Sequence, residues 1–408
     1  MVIKRREFLQ VGSLATASIM LPKFLKAFER PMMVPSGNKV MVVIQFSGGN
    51  DGLNTVIPIT NDIYYQSRPK IGITKDKAVI LNTDVGLNPA LESFKALYVE
   101  GNLAILNNVG YPNPDRSHFR SMDIWQSASD SKDYLNTGWI GRYLDAQCPA
   151  LLHGTFGRGK GCDKPTQALE IDDMLSLALK GNNQKGLAFK DPRRLYSSSN
   201  EKFYKDINAA HHPSEETVDY LYKTMSETLS SADYIFQQSK LHPTGQTYPG
   251  TELGKDLKTI ASLIMSDINT KVYYVSLGSF DTHVNQEEQQ KRLFTELNDA
   301  VKSFTTDLKN NNRFQDVLMM TFSEFGRRVS QNASNGTDHG TANNMFFISG
   351  GLKEKGMLNA MPDLADLNEG DLKHTVDFKN VYATVLKKWL AADDKMILGK
   401  QCEYMNFI

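Results

Sequence analysis

Short apolar, β-branched runs alternate along this chain with stretches whose apolar residues recur at helical spacing. That alternation constrains the fold more than any other feature. Residues 39–46 (with Val40, Val42, Val43 and Ile44), Leu103–Val109, Val272–Leu277, Val317–Phe322 and Met345–Ile348 read as strands. Pro89–Glu100, His118–Gln126, Gln286–Leu308 and Phe378–Leu390 read as helices, the third with Leu293, Phe294, Leu297, Val301, Phe304 and Leu308 on one face. The strand runs are continuously apolar, as in strands buried on both faces. The predicted fold class is therefore α/β, a mostly parallel sheet sandwiched by helices. The middle, about 150–250, is rich in Ser, Asn, Lys and Gly and poor in strand signals. Pro213–Gln238 and Thr251–Ser266 there look helical, so this stretch reads as a helical insertion or cap within one domain spanning 38–408.

Composition narrows the function classes. Lys+Arg and Asp+Glu are both 46, so the formal net charge is zero. A balanced chain gives no reason to expect nucleic acid or an anionic membrane as partner. No stretch reaches the roughly 18 apolar residues of a spanning helix, so no integral membrane segment is expected in the mature chain. Three cysteines exclude a disulfide scaffold and a four-thiolate zinc site. Cys148 and Cys162 either pair in an exported chain or stand as free buried thiols.

The first residues read as an address. Lys4-Arg5-Arg6-Glu7-Phe8-Leu9 precedes a weakly apolar run from Val11 to Leu21, too short to span a bilayer. The arginine pair resembles the twin-arginine export signal, which assigns residues 1–30 to a signal peptide. The alternative is a basic amphipathic helix on a cytosolic enzyme.

Residues with metal-ligand or nucleophile chemistry sit where the strands end, which is where open α/β sheets bind ligands. The first strand enters Ser47-Gly-Gly-Asn50-Asp51-Gly-Leu-Asn54, and the second enters Gly110 to Arg116-Ser117-His118. The third enters Gly278-Ser-Phe-Asp281-Thr-His283, and the fourth enters Ser323-Glu324-Phe325-Gly-Arg327-Arg328. Thr337-Asp338-His339-Gly340 precedes the fifth. Carboxylates with imidazoles suit hard or borderline divalent metals rather than a thiolate site. The glycines of 47–52 lack both the dinucleotide and the P-loop spacing, and more plainly let the backbone turn close to a ligand.

These segments, with Arg116-Ser-His-Phe-Arg120 and Val376-Asp-Phe-Lys-Asn-Val-Tyr382, resemble the "domain of unknown function 1501" (DUF1501) family over about residues 38–390. Such proteins look like distant relatives of the alkaline phosphatase and sulfatase superfamily. That resemblance implies an alkaline-phosphatase-like fold with one or two divalent ions (Zn, Mn, Fe or Ca) at the strand ends. It implies Asp51, Asp281, His283, Glu324 and His339 as metal ligands. Ser117, at a helix start, sits where the superfamily's nucleophile would be, and Arg327 is a catalytic candidate. Asn50, His118, Arg328 and Asp338 are expected behind the ligands or on a bound anion. The sequence departs from the superfamily where Glu324-Phe325 stands for Asp-His, because Phe cannot ligate. The Asp281–His283 separation is also shorter than usual.

The function implied is an exported, metal-dependent hydrolase of phosphate or sulfate esters. Its substrate would be a small-molecule or glycan ester, its export partner the twin-arginine machinery, and its location the periplasm or cell surface. The alternative is a catalytically inactive relative that binds surface polysaccharide or another extracytoplasmic partner. A serine esterase of the Gly-Asn-Asp type is a third reading, and the absence of an upstream nucleophile weighs against it.

Overall fold

A computed structural model of the protein describes residues 38–147, 166–201 and 216–408. The proposed leader, Cys148 and Cys162 lie outside the described residues. The main sheet is built from β1 (Val40–Phe46), β2 (Leu103–Gly110), β3 (Ala168–Glu170), β4 (Leu187–Ala188), β5 (Val272–Leu277), β6 (Val317–Ser323), β7 (Asn343–Ile348), β8 (Gly356–Met357) and β9 (Val376–Asp377). Their order is β8-β2-β7-β6-β1-β5-β3-β4, with β9 paired to β2. β1 lies parallel between β5 and β6, with Met41 opposite Val272 and Leu318. β7 alone runs against its neighbours β2 and β6. The mostly parallel sheet expected from the sequence is thus present. The carboxyl ends of β1, β2, β5 and β6 and the start of β7 consequently meet at one edge.

Helices cover both faces. On one side, Val40, Val42 and Ile44 of β1 pack with α1 (Glu92–Val99), α6 (Glu252–Met265) and α7 (Gln286–Asn310). On the other, Met41 and Val43 pack with α2 (His118–Ser127), α3 (Trp139–Gln147) and α8 (Phe378–Thr384). Every residue of β1 is buried, which explains why its sequence is apolar without alternation. Trp125 stacks on Phe322 at 5.2 Å and on Phe378 at 4.3 Å, and so pins α2 to β6 and α8. The final helix reads from sequence as one element to Leu390. It is α-helical to Thr384 and continues as a π-turn over Val385–Trp389.

The middle of the chain contributes more than helices. α4 (Pro192–Ser199) and α5 (Glu216–Leu241) lie there, but so do β3 and β4, which extend the sheet at its edge. Strands of two or three residues leave too little periodicity to be read from sequence. β3 ends at Glu170, which is 3% exposed and accepts from the Ser176 N–H at 2.7 Å. Burial pushes its carboxyl up to about 7. Between the ordinary glutamate value and about 7 the folded state holds a proton that the unfolded state has lost, so stability falls as pH rises through that window. Glu170→Gln is expected to flatten this slope and to raise stability at pH 8 by on the order of 3 kcal/mol. Urea midpoints of both proteins at pH 5 and pH 8 check it. Equal midpoint differences at the two pH values would show that Glu170 carries no such penalty.

Candidate metal centre

The loop after β1 comes so close to its neighbours that only glycine fits. Gly48 has φ +117°, and a Cβ there would lie 2.5 Å from the Asp281 nitrogen. Gly49 has φ +75°, and a Cβ would enter the Phe325 ring. This approach lets Phe280 N–H donate to the Ser47 carbonyl at 3.0 Å. Phe280 itself is buried between Phe46 and Phe294 at centroid distances of 5.0 and 5.8 Å. Asp281 is thereby held at the sheet edge. On the far side, Thr337–Thr341 zips onto Gly326–Arg328. Gly326 N–H donates to Thr341 O at 2.8 Å and Arg328 N–H to Asp338 O at 3.0 Å. His339 therefore stands opposite Arg327.

Three imidazoles converge on one carboxylate oxygen. Asp281 Oδ1 lies 3.0 Å from His283 Nε2, 3.3 Å from His339 Nε2 and 3.6 Å from His118 Nε2. His118, Asp281 and His339 offer ligand atoms within 4.8 Å of one another. Each ring is tied back through its other nitrogen. His118 Nδ1 meets Glu324 Oε1 at 2.9 Å, His283 Nδ1 meets Asp338 Oδ1 at 3.2 Å, and His339 Nδ1 meets the Arg116 carbonyl at 2.8 Å. Carboxylates and carbonyls accept, so each Nδ1 carries a proton and the Nε2 atoms face the centre. The consequence is unbalanced. His283 Nε2 and His339 Nε2 face each other at 3.0 Å, and His118 Nε2 is buried with no hydrogen-bond partner. A cation among His118, Asp281 and His339 would satisfy the His118 and His339 Nε2 atoms at once, with His283 beside it. These residues fit a divalent metal in ligand type, and the acceptors behind them are the kind that orient ligating histidines.

Charge is tuned by the same contacts. Glu324 beside it holds the His118 imidazole above its ordinary value against burial. Burial holds His339 below, helped by Arg327 and His118. Burial pushes the Asp281 carboxyl up, but the Arg327 guanidinium, His283 and His339 outweigh it and keep it below the usual range. Phe325, at the position where the resemblance expects a histidine, is a buried wall. Its ring lies 4.8 Å from that of His118 and 4.7 Å from that of His339.

Several residues expected in the centre stand elsewhere. Asp51 is fully buried and bound by Arg68, whose Nη1 and Nη2 donate to its two oxygens at 2.6 and 3.0 Å. Gln286 Nε2 adds a third bond at 2.5 Å and Leu53 N–H a fourth at 3.2 Å. Every lone pair of Asp51 is thus committed, and the structure separates it from the imidazoles. Glu324 sits one layer back, on His118 and on the Gly48 N–H at 2.8 Å. Arg327 is buried and donates to the carbonyls of Gly48, Gly49, Phe280 and Thr337 as well as to Asp281. It holds the site's backbone together. Asn50 is buried against Ser323 and Thr55. The Thr55 hydroxyl donates to the Asp51 carbonyl at 2.7 Å.

Ser117 differs from these. Its residue is exposed, its hydroxyl caps no N–H of α2, and its own N–H donates to Asp115 Oδ1 at 2.7 Å. It lies between Arg116, whose carbonyl binds His339, and His118, which binds Glu324. Beside it, Arg116 and Arg328 are half-exposed and share the buried Asp371. Sequence reading missed Arg116 in that role, together with Asp371, Arg68 and Gln286. The Arg-Ser-His order was visible, but nothing local marks a partner more than 200 residues away.

A family model described as "Protein of unknown function (DUF1501)" matches residues 107–405. No curated protein matches the chain. Solved structures similar to it include the PsFucS1 sulfatase from Pseudoalteromonas sp., at 11% identity and TM-score 0.40, over 96% of this chain and 74% of that one. Another is the C-terminal periplasmic domain of EcEptC from Escherichia coli in complex with Zn, at 11% identity and TM-score 0.34, over 78% and 75%. The lipoteichoic acid synthase LtaP from Listeria monocytogenes follows at 8% identity and TM-score 0.34, over 80% and 69%. These are distant likenesses. Among the described residues no helix is long and apolar enough to cross a membrane.

Proposed function

The chain belongs to the DUF1501 family, whose description assigns no activity, and we propose from the site itself that it is a metal-dependent hydrolase of phosphate or sulfate esters. The kinship with alkaline phosphatases and sulfatases and export through the leader at 1–30 are part of this proposal. The observation that carries it is the convergence of the His118, His283 and His339 Nε2 atoms on Asp281 Oδ1. Those four residues would hold a divalent metal. Bound there, it would supply positive charge for an ester oxygen and lower the pKa of a nearby hydroxyl.

The chain's own residues do the rest. Glu324, Asp338 and the Arg116 carbonyl keep the three rings in one tautomer. Ser117 presents an exposed hydroxyl at the start of α2, where free helix N–H groups favour an anion. Arg116 and Arg328 offer guanidinium forks that match phosphate or sulfate oxygens. The Ser117 oxygen attacks phosphorus or sulfur and loses its proton, and the alcohol of the substrate leaves with a proton. Water then cleaves the ester on Ser117, releasing inorganic phosphate or sulfate and restoring the hydroxyl.

One observation favours the second reading, a metal-free binding protein. Arg327 Nη2 already lies 2.7 Å from Asp281 Oδ1, so the carboxylate has a built-in cation. The test is to screen the full chain against aryl phosphates and aryl sulfates with added Zn or Mn, beside Ser117→Ala. Turnover with metal that falls by roughly a thousandfold or more in the variant supports the proposal. No turnover and no metal uptake would hand the site to the second reading.

A further inference from the structure

A second cleft opens on the same edge of the sheet. β4 ends at Ala188, and Lys190 lies two residues on. β4 is two strands from β5, about 10 Å across the sheet. The cleft measures about 800 Å³ and lies between α4 and the first turns of α6. Its walls carry Lys190, Arg193, Arg194, Lys255 and Lys258. Lys190 pairs with Glu252. Arg193, Arg194, Lys255 and Lys258 are exposed and have no ion-pair partner among the described residues. Asp191 also lines the cleft, but its carboxylate caps α4 through the Arg193 and Arg194 N–H groups. Asp191 and the exposed Asp173 keep their negative charge, so the walls carry both signs.

Asp256 is the feature that points to a ligand. It lines the cleft, is 5% exposed, and has no hydrogen-bond or ion-pair partner among the described residues. A buried carboxyl with no partner is costly unless something donates to it. Burial pushes this one up to about 7, with Lys190 pulling down and Glu252, Asp172 and Glu296 pushing up.

We propose that this cleft binds an anionic oligosaccharide, its anionic substituents on Arg193, Arg194, Lys255 and Lys258 and a sugar hydroxyl on Asp256. The mixture decides the class. Four unpaired cations call for several negative groups, spaced along a chain rather than held on one ion. A buried acid beside them calls for a hydrogen-bond donor, which a hydroxyl-rich sugar carries. Acidic groups within a basic cleft oppose a uniformly charged phosphodiester, and the lining has no aromatic ring to stack a base. The cleft does not need the imidazole centre to be catalytic.

Calorimetric titration of the full chain reads binding without turnover, so failure here is distinct from failure of the hydrolase reading. The probes are a chondroitin sulfate octasaccharide, the same octasaccharide chemically desulfated, and a single-stranded RNA octamer. The sulfated sugar is expected to bind at least tenfold more tightly than either of the others. Arg193→Ala/Arg194→Ala and Lys255→Ala/Lys258→Ala, all surface changes, are each expected to weaken it about tenfold. Asp256→Asn is expected to weaken it severalfold with an unchanged or higher Tm. Equal binding of sulfated and desulfated sugar would overturn the proposal, as would equal or tighter binding of RNA. Retention of full affinity in both surface double variants would do the same.

Discussion

Arg68→Ala is expected to cost about 3–5 kcal/mol of stability, because it strands the buried Asp51 carboxylate without its partner. Arg68 and Asp51 are both essentially inaccessible, and the guanidinium also ties the carbonyls of Val329 and Arg328 and the side chain of Asn54 to the same knot. Asp51→Ala should cost a similar amount, leaving the opposite charge uncompensated. The double variant should be distinctly less unstable than the sum of the two, since the pair is lost together. Denaturant unfolding of the four proteins measures the coupling. Additive losses would mean that the two side chains stabilise the fold separately. The comparison also tests the place of Asp51 in the site. If Asp51 is structural, Asp51→Asn should retain whatever metal the wild type holds for as long as it stays folded.

Replacing His118 and His339 together by alanine is expected to remove near-stoichiometric metal from the purified protein while the fold persists. Both side chains are partly exposed, at 31% and 25%, at the mouth of the sheet edge. Glu324→Gln should have a smaller effect, weakening metal affinity by about 10–100-fold, because it leaves Asp281 and the three imidazoles in place and acts chiefly through the orientation and basicity of His118. Elemental analysis by mass spectrometry, with zinc or manganese titrations of the three proteins, gives the order. A wild type that takes up neither metal would remove the centre from consideration. Metal retained by the double variant would place the ion elsewhere.

How far the sequence reaches can be judged residue by residue. Val40–Phe46 and Val317–Ser323 were legible as strands because central parallel strands are mostly apolar, here with Gln45, Thr321 and Ser323 as the polar positions. β3 and β4 were not, because a two- or three-residue edge strand has no period. Asp281, His283 and His339 were legible as chemistry because each stands in a short polar segment beside an apolar run. Their assembly was legible only through the rule that ligands gather at strand ends. His118 was assigned to a supporting place and Asp51 to the centre. The structure sets His118 beside Asp281 and His339 and Asp51 on Arg68, since a carboxylate after a strand looks the same in sequence whether it faces a cleft or a buried arginine. Arg68 carries no local signal of that pairing. Nor could Phe325 be read as more than a missing ligand until its ring was seen against His118 and His339.

The long loops that close the imidazole centre have a bearing on when it comes into being. The Arg116 carbonyl and His339 that it steadies are 223 residues apart in sequence, and His118 and Glu324 are 206 apart. No short fragment of the chain can therefore present the three rings together, and the centre exists only in the folded chain. An ion that needs all of them ignores the unfolded ensemble and binds only the finished molecule. By mass action such an ion would stabilise the native state by about 2.7 kcal/mol when present at a hundred times its dissociation constant. Thermal unfolding should climb with the concentration of the right metal and stay indifferent to the wrong ones, and so offers a way to identify the ion before any substrate is known.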